Sequence, residues 1–314
     1  MRKKIFIALA LFPIFLFSQN SSDKIIYRDS IGKDASKEDH AFYTIIKDYY
    51  TDKDLYQVKN YYKSGVLQME GNSKTKDGNS REGEYTHYYE NGKKRRIENY
   101  LKSRLNGSIS EWYENGNPLL KGEYIESKKG FSSEMKIYDF WDVNNKHMVI
   151  NGNGTYEENG KPFSSKGSLK NGFKDGEWKT INENTGHQYD DIYKEGTFIS
   201  GKSTDNNGIE TQYNILESRP LPKKGIQDFY NFIGTNFSKT KEAVANKISG
   251  RLIIQFIIEK DGKITEPKIL KSLGYGLDEE AMRVITSYEN WIPGQQRGIP
   301  VRVNYSIPLT VTDK

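Results

Sequence analysis

The feature that most constrains this chain is a short motif of aromatic residues and Asn-Gly that recurs in its middle. The stretch 88–92, Tyr-Tyr-Glu-Asn-Gly, returns 24 residues later at 112–116 as Trp-Tyr-Glu-Asn-Gly. Looser copies stand at 61–65 and 156–160, and the stretch 181–186 has one extra residue before its glycine. The long gap before the copy at 156 leaves room for a degraded copy around residues 140–144.

The chemistry of the motif predicts a β-hairpin. Asn-Gly supplies the positive φ angles that tight hairpin turns require. Aromatic residues just before the turn suit a half-buried, pleated surface. A single hairpin cannot bury its own apolar face, so consecutive units must stack on one another. The sequence therefore predicts an all-β array of hairpins over residues 56–217.

These units resemble MORN-like repeats, which occur in many exported bacterial proteins, and the resemblance covers about half of the chain. Two interpretations are open for the aromatic residues of the array. They form its core and stacking ladder, or some of them line a groove that binds a sugar or a peptide. The candidates for such repeat-surface aromatics are Tyr89, Trp112, Tyr113 and Trp178.

The pattern changes after Arg219-Pro220-Leu221-Pro222, which we interpret as a boundary. Apolar residues at three- and four-residue spacing predict a short amphipathic helix over 226–237, and a second helix is predicted over 239–248. The continuous apolar run 252–259 is typical of a central strand. Asp261-Gly262 is the hairpin signal that joins it to a return strand over 264–271, in which Pro267 indicates an irregularity or an edge.

A third helical face and a last strand complete this region. Leu277, Ala281, Ile285 and Tyr288 share one face of the predicted helix. The last strand is VRVNYSIPLTV, residues 301–311, in which apolar and other residues alternate almost without a break. The order of elements predicts an α+β C-terminal domain, an antiparallel three-stranded sheet with helices on one face.

This C-terminal region resembles the C-terminal domain of the energy transducer TonB. The resembling residues, in order, are Gly250 before the apolar strand, Asp261-Gly262, Leu277-Asp278-Glu279-Glu280-Ala281, Trp291-Ile292-Pro293-Gly294, Gly298-Ile299-Pro300-Val301 and the last strand. The resemblance implies a domain in the periplasm of a Gram-negative bacterium. It also implies a partner, the TonB box of an outer-membrane transporter, which adds as an extra strand beside the last strand.

Carried over to this sequence, the peptide-docking strand is Val301, Arg302, Val303, Asn304, Tyr305, Ser306, Ile307 and Pro308. The alternative is that the last repeat hairpin or a second subunit covers this strand. The sequence departs from the family at Ser238-Lys239, where members typically carry Tyr-Pro, and it has no proline-rich run. The first departure puts the affinity for an ordinary TonB box in question, and the second removes the linker with which a force-transducing member crosses the periplasm.

The N-terminus predicts a secretory signal peptide. Arg2, Lys3 and Lys4 precede an apolar run over residues 5–17, and the small Ser18 suits the cleavage site. The alternative is an uncleaved anchor, which would let the inner-membrane ExbB–ExbD complex drive the protein. The predicted organisation is a signal peptide (1–18), a lead-in (19–55), the repeat array (56–217) and the TonB-like domain (218–314).

The remaining residues argue against catalysis and against nucleic acid as a partner. The chain has no Cys, and its four histidines stand apart, without the spacing of a metal site. The acidic pairs Asp190-Asp191 and Glu157-Glu158 point to opposite faces of a strand, and we expect them to be solvated. The basic residues of the C-terminal region are scattered, without the stripe that tracks phosphates. We expect no enzyme, cofactor or metal.

Taken together, the sequence predicts an exported periplasmic, TonB-like protein that binds a transporter peptide by strand addition. The alternative is an envelope structural protein, or a carbohydrate- or protein-binding repeat protein. In that case the TonB-like domain would serve oligomerisation, for example as a homodimer.

Overall fold

The structure, a computed structural model, describes residues 22–126, 133–289 and 291–312. The segment predicted as a signal peptide lies outside the described residues. The chain divides into two compact units, residues 1–147 and 148–314. The boundaries that the sequence predicts at 55/56 and 217/218 stay predictions.

The first unit is a meander of antiparallel strands, each paired with the next along the chain. Its strands are β1 (Lys24–Arg28), β2 (Phe42–Ile46), β3 (Tyr56–Tyr62), β4 (Leu67–Ser73), β5 (Arg81–Tyr88), β6 (Lys94–Leu101), β7 (Arg104–Trp112), β8 (Pro118–Glu126) and β9 (Ser133–Trp141). The motif glycines Gly65, Gly92 and Gly116 lie in the turns, with φ of 84°, 81° and 94°. The predicted hairpins are confirmed there, and β1 and β2 extend the pairing into the lead-in.

The second unit begins with a further antiparallel meander in chain order. Its strands are β10 (His147–Ile150), β11 (Asn153–Asn159), β12 (Phe163–Lys170), β13 (Phe173–Asn182), β14 (Gln188–Lys194), β15 (Thr197–Thr204) and β16 (Glu210–Tyr213). The predicted turn in 181–186 joins β13 to β14.

The rest of the second unit is the predicted α+β domain with additional short strands. Its elements are β17 (Glu217–Ser218), β18 (Leu221–Pro222), α1 (Ile226–Asn236), α2 (Lys241–Ala245), β19 (Gly250–Ile258), β20 (Ile264–Lys271), α3 (Leu277–Thr286), β21 (Trp291–Ile292), β22 (Gly294–Gln296), β23 (Ile299–Val301) and β24 (Val303–Val311). The three-stranded antiparallel sheet has the order β20-β19-β24, which confirms the predicted fold class.

The core of this domain is apolar. Alternate residues of β19 and β24 are buried together with residues of α1 and α3, among them Phe229, Phe256 and Leu277, each 0% exposed. The turn at Asp261-Gly262 joins β19 to β20. Two features of this turn require a glycine at position 262. Its φ is 84°, and a Cβ on it would stand 2.5 Å from the carbonyl oxygen of Trp291.

The structure corrects one prediction about the last strand. The segment 301–311 is not one strand, because the chain leaves one sheet and enters another at Arg302. β23 belongs to a small sheet of order β17-β22-β23, and β24 belongs to the main sheet. The alternation of side chains continues through the change of sheet, so a pattern of period two could not reveal it.

Candidate functional site

The predicted docking strand lies at the edge of the main sheet. β24 pairs along its whole length with β19, from Gly250 opposite Val311 to Ile258 opposite Val303. Its other edge pairs with no strand of the described residues. A row of backbone N–H and C=O groups is therefore open along one side of β24, which is the property that lets another strand add to a sheet.

The ladder shows which residues offer those groups. The N–H of Glu259 donates to the carbonyl of Lys263 at 2.8 Å, on the β20 side of β19. Backbone groups alternate between the two edges of a strand, so Ile258 directs its own groups to β24, where it faces Val303. From Val303 onward, every second residue directs its backbone N–H and C=O groups to β19. The backbone groups of the residues in between point to the open edge. The outward-facing residues are Asn304, Ser306, Pro308 and Thr310.

Pro308 agrees with this assignment. It has no N–H to donate, so it is tolerated where a residue faces the open edge and not where it faces β19. Asn304, Ser306 and Thr310 are exposed, while Ile307 and Leu309 are 3% and 7% exposed and pack into the core. The open edge thus has polar side chains beside it, on the face of the sheet away from the helices.

An aromatic cluster fixes β24 from the core side. The ring of Tyr305 lies 5.2 Å from that of Trp291 and 5.7 Å from that of Phe256, measured between centroids. Trp291 in turn stands edge-on to Phe229 of α1 at 5.1 Å. Edge-to-face contacts of this kind add to the stabilisation from burial. The strand therefore has a rigid side against the core and an open side toward solvent.

A charged cluster holds the beginning of the strand. The guanidinium of Arg302 donates to Glu259 at 2.8 and 2.9 Å and to Glu266 at 2.7 Å. Hydrogen bonds to these two carboxylates raise the pKa of Arg302, and its hydrogen bond is the largest cause of the lowered pKa of Glu259. The cluster joins the start of β24 to the end of β19, at the point where the chain changes sheet.

A second contact of the C-terminal domain involves the turn between β22 and β23, within the second unit. Arg297 and Gly298 both have positive φ, 51° and 76°, as a two-residue turn between antiparallel strands requires. The Arg297 guanidinium lies 4.6 Å from the ring centre of Tyr189, and its Nη2 atom is 3.1 Å from Asp191 Oδ2. The backbone N–H of Arg297 donates to the carbonyl of Leu216 at 2.7 Å.

The structure corrects the expectation that Asp190 and Asp191 are both solvated. Asp191 is 1% exposed and accepts a hydrogen bond from the Tyr213 hydroxyl, which is buried as well. Burial, together with this bond to a carboxylate, raises the pKa of Tyr213. Arg297 supplies the compensating positive charge, without which a buried carboxylate would be costly. Its partner lies more than a hundred residues away in the sequence, so no local pattern could identify the pair.

The repeat aromatics tie neighbouring hairpins together. In the first unit the Tyr62 hydroxyl donates to the carbonyl of Tyr88 at 2.9 Å, that of Tyr89 to Trp112 at 2.8 Å and that of Tyr113 to Trp141 at 2.8 Å. In the second unit Trp178 is 1% exposed, and its indole N–H donates to the carbonyl of Ser168. Trp178 thus has the core position of the first interpretation, and Tyr89, Trp112 and Tyr113 are half-buried.

Two known families match parts of this chain. Residues 240–310 match the family model described as the Gram-negative bacterial TonB protein C-terminal. Residues 81–102 and 105–126 match the MORN repeat variant. The chain carries a TonB C-terminal domain preceded by MORN repeats. No curated protein matches the chain.

The match places the candidate site inside the TonB C-terminal domain, because the matched range contains all of β19, β20 and β23 and all but the last residue of β24. Such a domain belongs to the Gram-negative envelope, implies interaction with TonB-dependent transporters in general, and implies a role of the TonB energy-transduction type. Both matched domains are binding domains and not catalytic ones. No helix among the described residues is long and apolar enough to cross a membrane.

The two matched MORN repeats contain a buried polar network that sequence reasoning missed. Glu98 is 3% exposed and accepts hydrogen bonds from His87 at 3.1 Å and from Tyr100 at 2.8 Å. Arg96 lies between two carboxylates, 3.0 Å from Glu98 and 3.1 Å from Glu111. These residues stand on β5, β6 and β7, so hairpin pairing brings them together although their spacing in the sequence matches no motif.

Proposed function

We propose that the C-terminal domain captures an extended peptide segment of an outer-membrane TonB-dependent transporter, which adds as a fourth strand beside β24. The observation that carries the proposal is the open edge of β24, with its outward backbone groups at Asn304, Ser306 and Thr310. Main-chain hydrogen bonds supply affinity in such complexes, and side-chain pockets at alternate positions supply specificity. We further propose that the protein works in the periplasm after export through its N-terminal signal peptide.

The position of Pro308 limits the extent of the added strand. An incoming peptide can receive hydrogen bonds from the N–H groups of Asn304 and Ser306, and from that of Thr310, but not from residue 308. The strongest pairing is therefore expected at the N-terminal half of β24, next to the Arg302 cluster. A peptide with an acidic residue at that end would meet a guanidinium already shared by Glu259 and Glu266, so we expect little gain from acidity there.

The proposal is tested by titrating the full-length protein with synthetic peptides from the N-terminal segments of candidate transporters. Ser306→Pro removes an outward N–H and is expected to weaken binding at least tenfold, while Ser306→Ala keeps the N–H and is expected to bind as the wild type does. Circular dichroism checks that both variants are folded.

A second arm leaves the protein unchanged. Peptides that are N-methylated at alternate positions lose the donors on one edge only, so one methylation frame is expected to abolish binding and the other to spare it. Equal affinity for the peptides methylated in either set of alternate positions would show that strand addition at β24 is not the mode of capture. Wild-type affinity of the Ser306→Pro variant would show the same. Self-association that disappears in Ser306→Pro would instead favour a homodimer through this edge.

A further inference from the structure

A cavity of about 410 Å³ lies within the second unit, apart from the open edge of β24. Strands β12, β13 and β14 form its floor, and Leu216, Glu217, Gln296 and Arg297 form the opposite wall. This volume falls in the range of small-molecule sites and is much more than an inorganic ion needs. Polar and apolar atoms both contribute to the lining, and nine of the twelve lining residues have polar or charged side chains, which suits a ligand with polar groups on a partly apolar body.

Lys174 is one of the two lysines that line this cavity. Its Nζ atom lies 4.0 Å from the ring centre of Trp178 and 5.4 Å from that of Tyr193. No carboxylate or hydrogen-bond acceptor of the described residues contacts it. Burial lowers the pKa of Lys174, the charge of Arg297 lowers it further, and Glu158 acts in the opposite direction. An ammonium held over aromatic rings without an anion is a group that a bound anion would stabilise.

Arg297 also lines the cavity, but it already has an anionic partner. Arg297 is paired with the buried Asp191 and covers one face of Tyr189. Its side chain forms part of the wall that faces the sheet. Of the two other lining cations, Lys161 is exposed and Lys174 is half-buried, so Lys174 is the one whose charge a bound anion would stabilise most, and Arg297 holds the wall against the sheet.

The rim of the cavity has a different character. Glu158, Lys161 and Glu217 lie there and are exposed. The hydroxyl groups of Ser165 and Thr180 lie 2.9 Å apart on the sheet. Carboxylates, hydroxyls and the amide of Gln296 are groups that bond to hydroxyls of a ligand. A body rich in hydroxyl groups fits this rim better than a hydrocarbon chain does.

We propose that the cavity is a binding site for an acidic sugar, with the acid group of the sugar at Lys174 Nζ and its hydroxyls at the rim. The acid group is a carboxylate or a phosphate, since an ammonium binds both as a point charge. The site is independent of peptide capture at β24, and nothing in the proposed function requires it.

The test is isothermal titration calorimetry of the full-length protein with three probes: galacturonate, glucose 6-phosphate and neutral galactose. We expect saturable binding of at least one acidic probe, with a Kd on the order of 1 mM, and binding of galactose at least tenfold weaker. Whether galacturonate or glucose 6-phosphate binds better distinguishes a carboxylate from a phosphate ligand.

Lys174→Met removes the charge and keeps the aliphatic stem over Trp178. It is expected to reduce the affinity for the acidic probe at least tenfold. The matched control is Lys179→Met on the same strand, which is exposed and does not line the cavity, and it should bind as the wild type does. The proposal is overturned if the folded wild type binds neither acidic probe, if galactose binds equally well, or if a folded Lys174→Met variant retains full affinity.

Discussion

The strands β1–β16 bury polar and charged side chains as well as apolar ones, whereas the buried side chains of the C-terminal domain are apolar. In the C-terminal domain the core is apolar, with Phe256, Leu277 and Trp291 at 0–1% exposure. Every buried polar or charged residue of the described chain lies instead in the strands β1–β16, of the lead-in and the repeats. These residues are Thr44, Ser73, Thr86, Glu98, Thr180, Asp191 and Ser203.

The difference follows from the architecture. Helices cover one face of the β20-β19-β24 sheet, so a polar group inside would have few partners and would cost stability. In a meander of hairpins, each side chain lies beside the next strand, which can supply a partner from a neighbouring motif. The repeats therefore tolerate buried charges such as Glu98 and Asp191, and we expect their stability to depend on polar pairing in addition to the apolar packing that both regions share.

The largest expected effect is a cavity in the apolar core. Phe256→Ala removes a ring that contacts Trp291 and Tyr305, and such truncations cost about 3–5 kcal/mol. The free energy of unfolding is measured by urea denaturation followed by tryptophan fluorescence. Ile257→Ala, on the opposite face of the same strand, is the control and should cost clearly less. Equal losses for the two variants would mean that the helix-covered face is not the principal core.

The next effect concerns the buried pair that holds the β22–β23 turn. Arg297→Met leaves Asp191 buried without its cation, and removing one partner of a buried pair costs about 3 kcal/mol. Because the cost is that of an uncompensated charge, the double variant Asp191→Asn, Arg297→Met should recover most of it. Urea denaturation of the four members of this cycle gives the coupling free energy. Additive losses in the cycle would contradict the pairing.

A smaller effect tests close approach between repeat strands. Gly167 lies under the ring of Trp178, and a Cβ on it would stand 2.4 Å from a ring atom. Gly167→Ala therefore forces the ring to move, and overpacking of this kind costs about 1–3 kcal/mol. Gly234→Ala in α1, where a Cβ meets nothing within 4 Å, is the matched control and should be neutral or stabilising. If both variants have the stability of the wild type, the ring is free to shift.

Local chemistry made much of the fold predictable. Asn-Gly after an aromatic pair marked the hairpins, because only a few residues adopt the positive φ of such turns. Apolar spacing marked α1 and α3, and Asp261-Gly262 marked the turn between β19 and β20. The candidate site was predicted as a segment, but not which of its residues face outward, since alternation does not distinguish the paired edge from the open one.

The pairings that sequence reasoning missed are all distant or depend on register. Asp191 and Arg297 meet only because the β22–β23 turn packs against β14, which no residue near either of them indicates. Asp190 and Asp191 have the same chemistry, and only the pairing of β14 decides that the second one is covered. From the sequence alone Glu98 could likewise be a solvated charge, because only the pairing of the strands brings His87 and Tyr100 beside it.

The smallest expected effect is the pH dependence of the MORN repeats. Burial raises the pKa of Glu98, but the hydrogen bonds from His87 and Tyr100 and the charge of Arg96 outweigh it, so the net pKa lies below the ordinary value of 4.5. A carboxyl group whose pKa is lowered by folding stabilises the folded state above pH 4.5, and this contribution is lost as the pH falls through the lower, folded-state value. For Glu111 burial dominates and the net pKa is raised, so its ionisation opposes folding as the pH rises above 4.5.

Replacing each residue by Gln separates the two contributions. Glu98→Gln should lose about 1 kcal/mol at pH 7 and should lose less stability than the wild type does when the pH falls below 4.5. Glu111→Gln should be as stable as the wild type at pH 4, and relatively more stable at pH 7. Urea denaturation between pH 3 and pH 7 measures both differences. Parallel pH profiles for the wild type and the two variants would mean that neither carboxyl group changes its pKa on folding, and the contrast between a paired and a packed core would then rest on Asp191 alone.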